Sequence, residues 1–450
     1  MLLQNWWFTT LLGVENPINP PLTTDIEADV LIIGAGVAGL TAAMHLMNKG
    51  LNVVILEKNI CGGSSSGKSS GFLTPDSELE LADLIRRFGK TGALDLWGAG
   101  QKGADIIGAN VKQYGIDCDY QMQDSLFLGI GAGGWSDIKA EMEARKSVDF
   151  AQTLYDREQV KSIIGSQAYS GAVRYPNTAG INSMRYCQGL KRVLLDHGVH
   201  IYEASEVVSV AGHCAKTHLG SVTADQIIFC ADKLAPSLTP FANRVYHAET
   251  FLSISEPISE KKIDEAFPAG RFQCWDSDLV YSYFRLTGDN RLLLGGGDII
   301  TTYAKNNVNS ARVIDSVHRR FKEKFPMLRD LEFIQYWPGR IDTTRDLLPT
   351  IVRDEKTPWL HFVLGCVGLP WATFCGDFVA RHSTSGAAWD DHHYYEYFRD
   401  DRKFMLPLWL EKAVGKQLVF SLNNAWAKYY QKDLELDPAS KEIVHKREAG

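Results

Sequence analysis

Six residues near the amino terminus restrict this chain more than any other feature. Gly34-Ala35-Gly36-Val37-Ala38-Gly39 is a G-x-G-x-x-G run, a weak signal alone that gains force from its surroundings. Ala28 to Ile33 before it is apolar apart from Asp29, as in a strand covered on both faces. Leu40 to Lys49 after it carries apolar residues at helical spacing and stops at Gly50. Val53 to Leu56 reads as a second buried strand, and Glu57 follows, 18 residues beyond Gly39. This order predicts a dinucleotide-binding unit. Gly34 makes the turn, Gly36 admits a pyrophosphate to the backbone, and Gly39 lets the helix pack closely on the strand. The helix start, with Val37 and Ala38, offers N–H groups to phosphates. Glu57, with Lys58 next to it, is placed for the ribose hydroxyls, and its charge disfavours a 2′-phosphate and hence NADP.

The fingerprint does not choose between FAD and NAD. The segment after Glu57 does more: Cys61-Gly62-Gly63-Ser64-Ser65-Ser66-Gly67-Lys68-Ser69-Ser70-Gly71 is made of small residues and is long enough to run beneath a cofactor. Its hydroxyls and N–H groups suit a pyrophosphate and a flavin edge; the plain alternative is a flexible surface loop.

At 450 residues, two interleaved domains are expected. A net charge of −7 and no basic run exclude an electrostatic case for nucleic acid. The eight cysteines form no C-x-x-C pair, which gives zinc or a redox dithiol little support and fits a reducing compartment. The apolar start MLLQNWWFTTLLG lacks a basic region and a cleavage site, and no apolar run reaches the roughly 20 residues of a membrane span. The expected location is cytoplasmic.

Farther on, Ser77-Glu78 reads as an acidic helix start, and 80–170 as helices mixed with strands. A helix is predicted over Tyr186 to His197, with strand-like runs at 199–210 and 222–230. Alternation over 246–300 predicts an antiparallel sheet turning at Gly288-Asp289-Asn290. Ser310 to Phe325 reads as a helix ended by Pro326, 359–364 as a strand, and a helix is predicted from about Thr373.

Four segments carry a resemblance to the D-amino-acid-oxidase-like (DAO) superfamily of FAD enzymes, nearest to its gamma-glutamylputrescine oxidoreductase branch. They are the fingerprint with Glu57; Ser66-Gly67-Lys68-Ser69-Ser70-Gly71; Tyr283-Phe284-Arg285-Leu286-Thr287 with Arg291 to Gly297; and Trp337-Pro338-Gly339 with Thr344, Asp346 and Pro349. Ala179-Gly180-Ile181-Asn182 is a softer match, and the whole covers roughly 25 to 385.

The resemblance implies an α/β protein in which a Rossmann-like FAD-binding domain (25–80, 175–245 and 335–390) is interleaved with a substrate domain on a mainly antiparallel sheet (81–174 and 246–334). Residues 391–450 form a C-terminal extension. Gly34, Gly36, Gly39 and Glu57 would hold the adenosine diphosphate, and Ser64 to Gly71 would pass along the flavin. Val207 would bond the adenine through its backbone. Gly339 and the loop Gly368-Leu369-Pro370-Trp371 would close the other side. No cysteine lies near Asp342 to Pro349, so FAD is expected non-covalent, and a thioether at Cys366 is disfavoured.

Two departures bear on the substrate. Pro370 and Trp371 stiffen a loop that is usually richer in glycine. Relatives that grip an α-amino-acid carboxylate commonly have arginine where this chain has Ile341, and Ile cannot make that bidentate pair. Arg340 points elsewhere if the segment is a strand. An amine is therefore favoured over a simple α-amino acid.

Candidate substrate contacts are Trp275, Tyr281, Tyr283, Arg285, Arg340 and Trp371; each aromatic also reads as core, and Arg285 equally as a structural ion-pair partner. Lys68 is the candidate catalytic cation, supporting charge on reduced flavin or superoxide, or else binding phosphate or facing solvent. His392-His393 after Asp390-Asp391 reads as a solvated loop rather than a metal site. The segment 404–430 is an apolar helix on the body, or a contact for a partner or membrane surface. The resulting expectation is oxidation of an amine C–N bond, with oxygen or another redox partner as acceptor. The rivals are an α-amino-acid or N-methylamino-acid oxidase, oxidation of an unusual biosynthetic intermediate, and a non-catalytic flavin-binding partner protein.

Overall fold

The computed structural model describes all residues except 14–16, 77, 232–237, 240, 242–244, 279–280, 298–309, 354–355, 385–391, 401 and 403–450. Asp390-Asp391 and the segment 404–430 lie outside the described residues.

The fingerprint strand Ile26–Ile33 lies at the centre of an eight-stranded sheet. Val53–Leu56 and then His200–Tyr202 pair parallel on one side of it, and Ser221–Phe229 and Leu360–Leu364 follow parallel on the other. Val30 to Ile33 and Val53 to Leu56 are all buried, which accounts for their unbroken apolar runs. Thr350–Arg353 pairs antiparallel with Leu360–Leu364, and Cys214–Lys216 and Ser209–Ala211 finish the opposite edge. The helix Val37–Met47 packs against the helix Leu369–Ser383. Both therefore present their N-termini to the same region.

The second sheet has nine strands and is antiparallel except at two pairings. Leu2–Leu3 runs parallel to Phe333–Thr343, and Gln273–Asp276 runs parallel to Ser125–Gly129. Its middle is the meander of Tyr246–Pro257, Arg291–Gly296 and Tyr283–Leu286, and the expected turn at 288–290 joins the last two. A three-stranded sheet of Phe72–Leu73, Ala179–Gly180 and Gln121–Met122 is also present. Among the described residues no helix is long and apolar enough to cross a membrane.

Several boundaries differ from the sequence reading. The helix predicted from Ser77-Glu78 begins at Leu81 and runs to Tyr114, with non-helical backbone at Gly89; Ser77 lies outside the described residues. Glu78 precedes that start, in a bend. The helix predicted from about Thr373 starts at Leu369, because proline fits a first helical turn, where its missing N–H is no loss. The predicted loop Gly368-Leu369-Pro370-Trp371 is thus a helix start. Phe333–Thr343, placed from 335 in the cofactor domain, is hydrogen-bonded into the nine-stranded sheet along Tyr246–Pro257.

Candidate active site

A cavity of ≈ 420 Å³ borders the start of helix Val37–Met47. Of the expected cofactor residues, Gly36, Val37, Ala38, Ser65 and Ser66 line it together. Lys68, Ser69, Ser70 and Gly339 continue the wall, and Gly368, Leu369 and Pro370 bring the second helix start to it. Two helix N-termini therefore open on one space, which favours a bound anion.

The local geometry fits a dinucleotide. A Cβ on Gly39 would lie 2.0 Å from the Gly34 carbonyl oxygen, so only glycine lets the helix sit this close to the turn. A Cβ on Gly36 would meet Ser66 Oγ at 3.1 Å, and the same hydroxyl accepts from Val37 N–H at 3.0 Å. The serine loop thus crosses directly over the helix start. Glu57 accepts from Ala35 N–H and Asn59 N–H, each at 2.8 Å. Burial raises its carboxyl above the usual range, partly offset by those two donors. The glycine turn, helix start and oriented acid are the parts that FAD's adenosine diphosphate half requires.

Other expected cofactor residues lie off the cavity wall. Gly34, Gly39, Glu57, Ser64 and Gly71 do not line it. Val207 is buried in the core beside the cofactor sheet. Lys58 is exposed and pairs with Glu206 at 2.7 Å.

The expected substrate residues divide sharply. Trp275, Tyr281 and Tyr283 line the cavity, and burial pushes the Tyr283 hydroxyl up to about 12. Ile341 lines it with Gly339, while Arg340 between them is exposed and off the wall. This is the alternation of a strand, and it leaves an apolar side chain at the position compared with arginine.

Arg340 is therefore not a wall contact as expected, and two further expected contacts require correction. Arg285 is fully buried and lines no part of the cavity. Its guanidinium donates to the carbonyls of Ser70 at 2.9 Å and Ile181 at 2.6 Å. It braces the serine loop from behind, and burial lowers its pKa to about 10. Trp371 is also buried off the wall, donating to Pro75 O at 3.1 Å and packing on Phe398. The first helical turn points it into the core.

An acidic end of the cavity was missed in the sequence. Asp76, Glu78, Glu80 and Glu141 all line it. Tyr281 donates to both Glu78 oxygens at 3.0 Å, and Trp275 Nε1 donates to Glu80 at 2.8 Å. The Tyr175 hydroxyl joins Glu80 to Glu141. Burial, then the nearby Glu80 charge, pushes Glu141 up to about 8 despite Arg145 at 3.6 Å. The same two causes raise Asp76 well above its ordinary range. Asp76, Glu78 and Glu80 sit two residues apart before the long helix, and that spacing was the available signal.

The family model DAO, described as FAD dependent oxidoreductase, matches residues 29–382. "Probable oxidoreductase OrdL" of Haemophilus influenzae is 30% identical over 360 residues, 78% of this chain and 80% of that protein. Gamma-glutamylputrescine oxidoreductase of Escherichia coli is 27% identical over 360 residues, 77% of this chain and 81% of the relative. Among solved structures, glycine oxidase from Geobacillus kaustophilus superposes with a TM-score of 0.69 at 17% identity. That match covers 81% of this chain and 97% of the glycine oxidase, and it shows a shared fold.

Proposed function

The chain belongs to the DAO family of FAD-dependent oxidoreductases, and from that premise we propose that it oxidises the C–N bond of an amine, with FAD bound non-covalently. The observation that carries this reading is the join between two kinds of wall. One cavity runs from the helix start at Gly36 to an aromatic and apolar region containing Tyr283 and Ile341.

When bound, FAD supplies an acceptor for a hydride. A primary amine R–CH2–NH2 gives up that hydride from carbon and a proton from nitrogen, and the imine adds water to yield a carbonyl compound and ammonia. The protein's part is to hold the nitrogen neutral and the C–H bond in place. Phe72, Leu252, Tyr283 and Ile341 on the wall disfavour an ammonium at the reacting end. The absence of a guanidinium at Ile341 supports an amine over an α-amino acid.

The two helix starts would hold the pyrophosphate and flavin, and Glu57 the ribose. Lys68 would place a positive charge beside the ring system as it takes up electrons. Segments 25–80, 175–245 and 335–390 would form the cofactor domain, sharing Phe333–Thr343 with the substrate sheet. The acceptor would be oxygen or another redox partner, and the setting cytoplasmic. Purified protein loaded with FAD should release ammonia and a carbonyl compound from an amine, and Gly36→Val should abolish FAD binding and turnover together. Turnover persisting in FAD-free protein would refute the reading.

A further inference from the structure

Leu347 lines the cavity in a backbone conformation that leucine rarely adopts. Its φ is +68°, in the left-handed region. The other non-glycine residues with positive φ among the described ones are Asp119, Asp149, Asn177, Ala204 and Asn290. Asp and Asn have short side chains that bond the local backbone there, and Ala204 brings only a methyl group. Leucine has no such compensation, so its surroundings must hold it.

They do so from both sides. The peptide before its Cα is fixed by Arg87, which donates to Asp346 O at 2.9 Å, and by Leu347 N–H, which donates to Thr344 O at 3.4 Å. The peptide after it is fixed by Leu348 N–H, which donates to Asp346 Oδ1 at 3.3 Å. Arg402 grips that carboxylate at both oxygens, each at 2.9 Å. It also donates to the carbonyls of Leu348 at 3.2 Å and Pro349 at 3.0 Å. Arg402 lies beyond residues 29–382, which the family model matches. With both peptides fixed, the direction of the Leu347 Cα–Cβ bond is fixed too. A turn relaxed to negative φ would point the side chain elsewhere.

We propose that Leu347 is a specificity-determining residue, whose isobutyl group is held against the cavity and sets the width left to the substrate. Arg402 is the residue that positions it. The proposal rests on the amine-oxidation reading for the kind of substrate, and deepens it. Leu347 is only half-buried, so core packing does not by itself explain why the strain is kept. Strain maintained beside a cavity by a two-pronged ion pair fixes a side chain where a relaxed turn would leave space.

The test uses full-length protein carrying FAD, with butylamine and the bulkier 3-methylbutylamine and cyclohexylamine as substrates. Leu347→Ala and Leu347→Gly should each raise the kcat/KM ratio of bulky over unbranched amine by about ten-fold or more, the scale of a methylene in an apolar pocket. Arg402→Met should raise it less but in the same direction, whereas simple loss of stability would lower both amines alike. A ratio unchanged in the Leu347 variants overturns the specificity role, and one unchanged in Arg402→Met overturns the positioning role. The strain is read separately in the apoprotein. Leu347→Gly should melt above Leu347→Ala, the reverse of the usual order, because glycine sits freely at positive φ. Alanine melting higher would overturn the strained turn on which the proposal stands. If no amine reduces the flavin of the parent protein, amine oxidation fails, and the rate of sulfite addition to the bound flavin decides the wall. A faster rate in Leu347→Gly supports it; an equal rate overturns it.

Discussion

Trp7 Nε1 donates to the carbonyl oxygen of Ser69 at 2.8 Å. That contact is one of four on consecutive carbonyls. Asn5 holds Gly67 O at 2.8 Å, Trp337 holds Lys68 O at 3.1 Å, and Arg285 holds Ser70 O at 2.9 Å. The loop lining the proposed flavin site is thus fixed from behind by three separate segments. One of them, bearing Asn5 and Trp7, precedes the residues matched by the family model.

Trp7→Phe keeps most of the ring but leaves the Ser69 carbonyl without that donor, at a cost of about 1–3 kcal/mol. FAD affinity should fall by roughly ten-fold or more, with a lower melting temperature in the FAD-loaded protein. Fluorescence titration of the apoprotein with FAD checks this. Unchanged affinity would show that the N-terminal contact does not position the loop.

Ile341→Arg should change preference. A guanidinium on the cavity wall beside Gly339 can pair with a carboxylate and would burden an incoming cation. The ratio of kcat/KM for α-amino acids over amines should rise, by about ten-fold or more if the pair is bidentate. A fall in both activities without a change in their ratio would place Ile341 in packing alone.

Stability should fall as pH rises, and the sign follows from the buried acids. Glu141 titrates near 8 in the folded protein against an ordinary 4.5. The folded state therefore holds a proton that the unfolded state has lost between those values, and stability present below about 4.5 is lost as pH climbs through 8. The melting temperature should drop by at least a few degrees between roughly pH 6 and pH 9. Glu141→Gln should flatten that slope. A slope identical in the variant would assign it to other groups.

Lys68→Met removes the cation proposed beside the flavin. The flavin midpoint potential should become more negative, since a nearby positive charge favours the reduced form. Potentiometric titration reads this directly, and an unmoved potential would leave Lys68 with a structural role.

The fingerprint was legible because every part of it is local: turn, helix start and acid fall within Gly34 to Glu57. Ile341 and Arg340 were legible for a similar reason, since strand alternation alone separates the side chain facing the cavity from its neighbour. Arg285 and Trp371 misled because residue type says nothing of direction. A guanidinium that suits a carboxylate also suits backbone carbonyls, and a helix beginning four residues early turned Trp371 inward. The acids Asp76, Glu78 and Glu80 resembled the acidic first turn of a helix. Their partner Glu141 comes from another helix, so the cluster exists only after folding. The Trp7–Ser69 contact is hidden in the same way, by a separation of 62 positions.

On the proposed reading, this chain carries FAD and uses it to oxidise amines. The most direct measurement is the visible spectrum of the purified protein without oxygen, before and after adding separate pools of primary amines, polyamines and α-amino acids. A yellow protein whose flavin band bleaches with an amine pool is the expected result. A protein that takes up no FAD, or a flavin that only the amino-acid pool bleaches, would contradict it.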